Sequence, residues 1–134
     1  MSRVLVVEDN PANQMLTCSV LQREGFETDV ADSSVEALKL IDERRLDLIL
    51  MDLQLPGMDG LTLTRKLKAM PATAKVPIVA VTAHAMIGVR ESALEAGCAG
   101  YISKPIDTRT LGDQVRASLN DRAAKSARAA LPGF

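Results

Sequence analysis

Aromatic side chains are almost missing from this chain: Phe26, Tyr101 and Phe134 are the whole supply, and there is no tryptophan. Stacking of bases on aromatic faces is how most single-stranded nucleic acid is held, so the scarcity argues against that class of activity. A charge excess of either sign is missing too. Sixteen Lys and Arg stand against 17 Asp and Glu, a net charge of −1. Such a balance gives no general pull toward nucleic acid or an anionic membrane. No apolar run approaches the roughly 20 residues of a membrane span. The N-terminus, MSRVLVVEDN, puts acids directly after its apolar run and has no small-residue cleavage site, so it does not read as a signal peptide. The two cysteines, Cys18 and Cys98, have no metal-type spacing, and a pair of free thiols in a cytoplasmic protein is the default reading.

What is present suits one globular domain. The 134 residues are 47% hydrophobic and 25% charged, enough for a real core and too apolar for disorder. Residues 1–120 read as that domain, and the Ala-rich 121–134 as a tail or the start of a linker. Apolar runs alternate with helical stripes along it. Val4 to Val7 is a short strand ending in Glu8-Asp9. Asn10-Pro11 then serves as N-cap and first helical residue. That helix runs to about Glu24 with Leu16, Val20 and Leu21 inward, and Gly25 stops it. Phe26 to Ala31 suits a second strand. Ser33 with Glu36 has the capping-box pattern, opening a helix that carries Val35, Leu38 and Ile41 at helical spacing and ends near Arg45. Leu46 to Asp52, LDLILMD, is the third strand, apolar throughout until its terminal carboxylate. A helix after Asp59-Gly60 carries Leu63, Leu67 and Met70. Val76 to Val81 is the fourth strand, ending in Thr82. A helix from Ala85 to Ala96 contains Gly88 and is stopped by Gly97. Gly100 to Ser103 is the fifth strand, ending in Lys104-Pro105. A last helix from near Thr108 places Leu111, Val115 and Leu119 on one stripe. Five β–α units in alternation predict an α/β fold, a parallel sheet with helices on both faces.

In a parallel sheet every strand finishes at the same edge, where ligands of open α/β folds bind. Glu8, Asp9, Asp52, Thr82 and Lys104 would meet there. Each has a structural reading of its own: Asp52 as a loop cap, Glu8-Asp9 as a surface loop, Thr82 as a helix cap, Lys104 as a solvated charge. Their coincidence at successive strand ends favours a site. Clustered carboxylates raise one another's pKa, and a divalent cation relieves this. Hard oxygen donors without His or Cys favour Mg²⁺. Mg²⁺ beside a lysine and a hydroxyl forms a cradle for a phosphoryl group, and an aspartate there can act as its nucleophile.

The four stretches VLVVEDN, LILMDLQLPGMDG, VPIVAVTA and GYISKPI, in this order and spacing, resemble the receiver domain of two-component response regulators. The resemblance covers residue 3 to about 120. It implies the CheY-like, flavodoxin-like (βα)5 three-layer sandwich with strand order 2-1-3-4-5. VTAHAM and GCAGYISKPI are most similar to stand-alone regulators of the DivK type and to receivers of hybrid kinases. Receivers take a phosphoryl group from a phosphohistidine, so Asp52 would be the phosphoacceptor. Glu8, Asp9, Asp52 and the carbonyl of Gln54 would hold Mg²⁺, and Lys104 would bind the phosphoryl oxygens. Thr82 would bond to the phosphoryl group once present, and Tyr101 would turn inward as the switch aromatic, although half-buried edge packing also accounts for it. Ala83 would leave the phosphorus accessible, Gln54 and His84 would set the rate at which water removes the group, and the Lys104-Pro105 bond would be cis. The implied partners are a sensor histidine kinase or histidine phosphotransfer protein, and a downstream protein reached through the helix Ala85 to Ala96, the fifth strand and the last helix. Neither nucleic acid nor membrane is expected, and the chain would be a cytoplasmic monomer or a phosphorylation-dependent dimer.

A turnover enzyme of the haloacid dehalogenase type would carry a second Asp two residues after its nucleophile. Gln54 stands there instead, so a non-enzymatic phosphoacceptor is the expectation. The chain also reads as a receiver cut from a hybrid histidine kinase or larger regulator.

Overall fold

A computed structural model of the chain describes residues 2–55, 60–83 and 88–119. Strands and helices alternate along it: β1 (Arg3–Val7), α1 (Pro11–Arg23), β2 (Glu27–Ala31), α2 (Ser34–Glu43), β3 (Leu48–Asp52), α3 (Gly60–Ala69), β4 (Ile78–Thr82), α4 (Val89–Ala96) and β5 (Gly100–Ser103). A further helix, α5, spans 111–119. The strands form one parallel sheet in the order β2-β1-β3-β4-β5. The fold is the expected flavodoxin-like three-layer sandwich.

The strands supply two separate cores because successive side chains point to opposite faces. Leu5, Val7, Ile49, Met51, Ile78 and Ala80 pack with Ala37 and Ile41 of α2, Leu63 and Leu67 of α3, and Ala93 of α4. Val4, Val6, Leu48, Leu50, Val79 and Val81 pack with Val20 and Leu21 of α1 and with Leu111 and Val115 of α5. All five residues of β3 and of β4 are buried, which is why those runs read as unbroken apolar stretches. Each buried Leu, Ile or Val stabilises the fold by about 1.5–3 kcal/mol. Asp52 continues the row Leu48–Leu50, and Thr82 the row Ile78–Ala80.

Three sequence expectations fail for local reasons. Leu16 is 41% and Val35 79% exposed, not inward. The stripe of α1 runs through Thr17, Val20 and Leu21 and that of α2 through Ser34, Ala37 and Ile41. Leu16 and Val35 each lie about 100° off their stripe at roughly 3.6 residues per turn. Gly88 is not inside a helix. It is the N-cap of α4, with φ of 99°, a left-handed conformation that a Cβ disfavours. Residues 84–87, the expected start of that helix, lie outside the described residues. Finally, α5 begins at 111, because 108–110 form a turn.

The edge strand β2 is charged. The Arg3 guanidinium donates to Asp29 and Glu27, both at 3.0 Å. Charges on an edge blunt its tendency to pair with another chain.

Candidate functional site

The two strand ladders, rather than loops, place the buried acids. Glu8 follows β1 directly, and its backbone N–H donates to the Ala31 carbonyl at 2.9 Å. Asp52 ends β3, and the next N–H, of Leu53, donates to Val81 at 3.0 Å. Glu8 and Asp52 are 4% and 3% exposed. Asp9, one residue on, is exposed. One carboxylate oxygen from each of the three lies within 4.8 Å of the others.

Lys104 enters from the far side of the sheet's centre. Its backbone N–H donates to the Thr82 carbonyl at 2.8 Å. Its ammonium donates to Glu8 Oε1 at 2.8 Å and Asp52 Oδ2 at 3.3 Å. Two carboxylates thus share one ammonium, with Asp9 beside them, and the charge does not balance. Burial pushes the Glu8 carboxyl up from the ordinary range; a hydrogen bond and repulsion from Asp52 add to this, and Lys104 offsets only part. Burial acts to lower the Lys104 pKa, but Glu8 and Asp52 outweigh it, so the ammonium is held above its ordinary value.

The cluster fits a hard divalent cation on its own chemistry. Its donors are all carboxylate oxygens, burial and then the neighbouring Asp52 push Glu8 toward protonation, and the exposed Asp9 leaves a side open to water. The exposed Gln54 donates its backbone N–H to Asp52 Oδ1 at 2.9 Å, which fixes the carboxylate and orients the turn after β3.

Thr82 ends β4 and is 1% exposed. The register sets it opposite Ser103 and sets Ala80 opposite Tyr101. Tyr101 is half-buried against the core beneath α4. Thr82 and Tyr101 therefore share one face of the sheet, two positions apart along neighbouring strands. Ala83 and Pro105 are exposed, and the Lys104–Pro105 bond is cis, as the resemblance implied. His84 lies outside the described residues.

Residues 4–116 match the family model of the response regulator receiver domain. The chain belongs to that family. The receiver is 42% identical over 118 residues to the polar-differentiation response regulator DivK of Brucella anthropi, covering 88% of this chain and 96% of that one. Among solved structures it is similar to the receiver domain of sensor histidine kinase PA1611 from Pseudomonas aeruginosa PAO1, which has a magnesium ion coordinated in its active site cleft. That likeness has 34% identity and a TM-score of 0.81, over 89% of this chain and 98% of that one. A CheY-like receiver domain protein from Methanospirillum hungatei JF-1 superposes with a TM-score of 0.85 at 29% identity, over 93% and 98% of the two chains. Both kinds of receiver suggested by VTAHAM and GCAGYISKPI are thus represented. No helix among the described residues of this receiver is long and apolar enough to cross a membrane.

Two residues that hold the site were not visible in the sequence. Gln14 of α1 donates through Nε2 to the Glu8 carbonyl at 2.5 Å, tying the helix to the acidic loop. Only its place one turn after the Asn10 cap hinted at this. Gly60 opens α3 against the end of β3, where a Cβ would meet the Asp52 carbonyl oxygen at 2.3 Å. The glycine was legible as a helix start; the close approach was not.

Proposed function

We propose that this receiver accepts a phosphoryl group from a phosphohistidine onto Asp52 and relays the change to a protein target. The observation that carries the reading is the buried Asp52 carboxylate at a strand end, held by Lys104 and set within 4.8 Å of Glu8 and Asp9. The donor is a sensor histidine kinase or a histidine phosphotransfer protein. An Asp52 carboxylate oxygen attacks phosphorus in line. The new P–O bond forms as the P–N bond breaks, and the electron pair stays on the imidazole nitrogen. Lys104 draws the phosphoryl oxygens, and its raised pKa keeps it cationic at neutral pH. Glu8, Asp9, Asp52 and the Gln54 carbonyl would hold Mg²⁺, which when bound supplies neutralisation of the phosphoryl oxygens.

Thr82 then bonds to the phosphoryl group, and Tyr101 follows it inward on the same face of the sheet. Ala83 leaves room at phosphorus, with Gln54, His84 and Pro105 at the rim. The output surface is α4 with β5 and α5, the shift being one of population between two packings. Gln54 offers no second carboxylate for turnover chemistry, so the aspartyl phosphate persists as a signal and the chain is not a turnover enzyme. The receiver works in the cytoplasm as a monomer or a phosphorylation-dependent dimer. Residues 1–120 form the working unit, with 121–134 as a tail or linker start outside the described residues. The likeness to a sensor kinase's receiver also favours a second reading, a receiver belonging to a hybrid histidine kinase.

The test is transfer from a radiolabelled phosphohistidine donor with Mg²⁺. The label on this chain is expected to be released by hydroxylamine, as an acyl phosphate is. A hydroxylamine-resistant label, or none from any histidine kinase of the source organism, refutes the reading.

The raised Glu8 carboxyl also sets a pH dependence. Metal binding needs the carboxylate, and this one holds its proton to higher pH than an ordinary glutamate. Mg²⁺ affinity is therefore expected to fall as pH falls, by up to about tenfold per unit once below the raised pKa. The metal-free fold responds with the opposite sign. A group raised in the folded state contributes stability below its unfolded pKa, and that contribution is lost as pH rises through the folded value. Calorimetric Mg²⁺ titrations and metal-free melting curves over a pH series check both signs. A Mg²⁺ affinity flat from neutral to acidic pH would contradict the assignment.

A further inference from the structure

A pocket of about 230 Å³ opens at the sheet edge opposite the acidic cluster. It lies between the end of α2 and the connection from α3 to β4. Its floor is apolar, with Ile41, Leu46 and Val76 drawn from the core beneath α2 and α3. Thr73 lies in the same wall, and its hydroxyl is committed to the Leu67 carbonyl. Lys68 pins that wall from behind, donating to the carbonyls of Val76 at 2.7 Å and Ala74 at 3.2 Å. Arg44 and Arg45, both exposed, complete the lining.

The charged residues in the lining are of one sign. No carboxylate lines the pocket. Arg44 reaches Asp29 at 3.5 Å while half exposed, a contact worth at most about 1 kcal/mol. Arg45 is exposed, and among the described residues it joins no ion pair. None of the nearby acids lines the pocket: Asp47 accepts the Arg3 N–H at 2.8 Å, and Asp42 and Glu43 sit exposed on α2. The bare end of α2 disfavours an anion, and two arginines exceed what its partial charge of about half an electron needs. An apolar floor beside two exposed arginines, Arg44 held only by a long contact to Asp29, is suited to a carboxylate on a compact apolar body. The volume falls just below the roughly 300 Å³ at which drug-sized pockets begin, so the ligand is small.

We propose that this pocket binds a small amphipathic carboxylate, with its apolar body on Ile41, Leu46 and Val76 and its anion on Arg44 and Arg45. The site stands apart from the acidic cluster and does not depend on phosphoryl chemistry.

The whole chain, labelled with ¹⁵N and kept free of Mg²⁺, is titrated with benzoate. Saturating amide shifts are expected at residues 44–46 and 73–76. Acetate, which lacks the body, and benzyl alcohol, which lacks the charge, are each expected to bind at least about tenfold more weakly. Arg45→Gln should weaken benzoate binding by about fivefold or more, and Arg45→Lys by less. Arg45, exposed and in no ion pair among the described residues, can change without loss of the fold, and an unaltered melting temperature verifies this. Shifts absent from this pocket, equal binding of acetate or benzyl alcohol, or no effect of Arg45→Gln would each overturn the proposal.

Discussion

Asp52→Asn is expected to lower transfer from a phosphohistidine donor by at least about a thousandfold while leaving a folded protein that melts higher without metal. The amide has no anionic oxygen to attack phosphorus, so the first effect follows from the nucleophile alone. The second follows from charge. Lys104 keeps its shorter contact, 2.8 Å to Glu8, when Asp52 loses its charge. The repulsion and shared hydrogen bond that help raise the Glu8 carboxyl are weakened at the same time. A relief of about 1 kcal/mol would raise the melting temperature by roughly 3–5 °C in a domain of this size. The stabilisation that Mg²⁺ gives by mass action should shrink as well, because one of its three carboxylates is gone. Labelling and melting, each with and without Mg²⁺, separate a lost nucleophile from a lost fold. Retained labelling of a folded Asp52→Asn protein would remove Asp52 from its role.

Gly60→Ala is expected to destabilise the fold by about 3 kcal/mol, against the direction that helix propensity suggests. Alanine gains up to about 1 kcal/mol over glycine in a helix. Here its Cβ would stand 2.3 Å from the Asp52 carbonyl oxygen and 2.7 Å from the Leu53 Cα. Both are backbone atoms of a buried strand end, so no rotamer change gives room. Overpacking of this kind costs about 1–3 kcal/mol and sometimes more, and α3 must shift off β3 to relieve it. The melting temperature should fall by roughly 10 °C or more, and Mg²⁺ affinity with it, since the displaced backbone belongs to Asp52 itself. Thermal unfolding and a Mg²⁺ titration test this. A variant that melts at or above the parent would show that the start of α3 slides freely.

The acids and the lysine could be read from the chain because topology places them. β3 and β4 are buried on both faces, their runs end in polar residues, and parallel strands bring those ends together. Glu8, Asp52 and Lys104 needed no contact to be foreseen. Gln14 and Gly60 did: one depends on where α1 settles over the Glu8 carbonyl, the other on how closely α3 approaches the end of β3. Leu16 and Val35 misled for a different reason. Periodicity marks which residues are apolar, whereas the sheet decides which direction is inward, and a small Ala37 or a Thr17 can hold the centre of a stripe. Gly88 fits the helical period of its neighbours, and only its positive φ shows that the helix starts there. The pocket between α2 and the α3–β4 connection left no motif, since its residues are ordinary ones from two connections far apart in sequence.

The sheet divides the apolar interior into two halves, with the row of Asp52 on the α1 and α5 side and the row of Thr82, beside Tyr101, on the α4 side. The phosphoacceptor row and the switch row thus lie on opposite faces of one sheet, and the proposed output surface, α4 with β5 and α5, draws on both. A side chain changed on one face of the sheet therefore meets the other core only through the strands the two share.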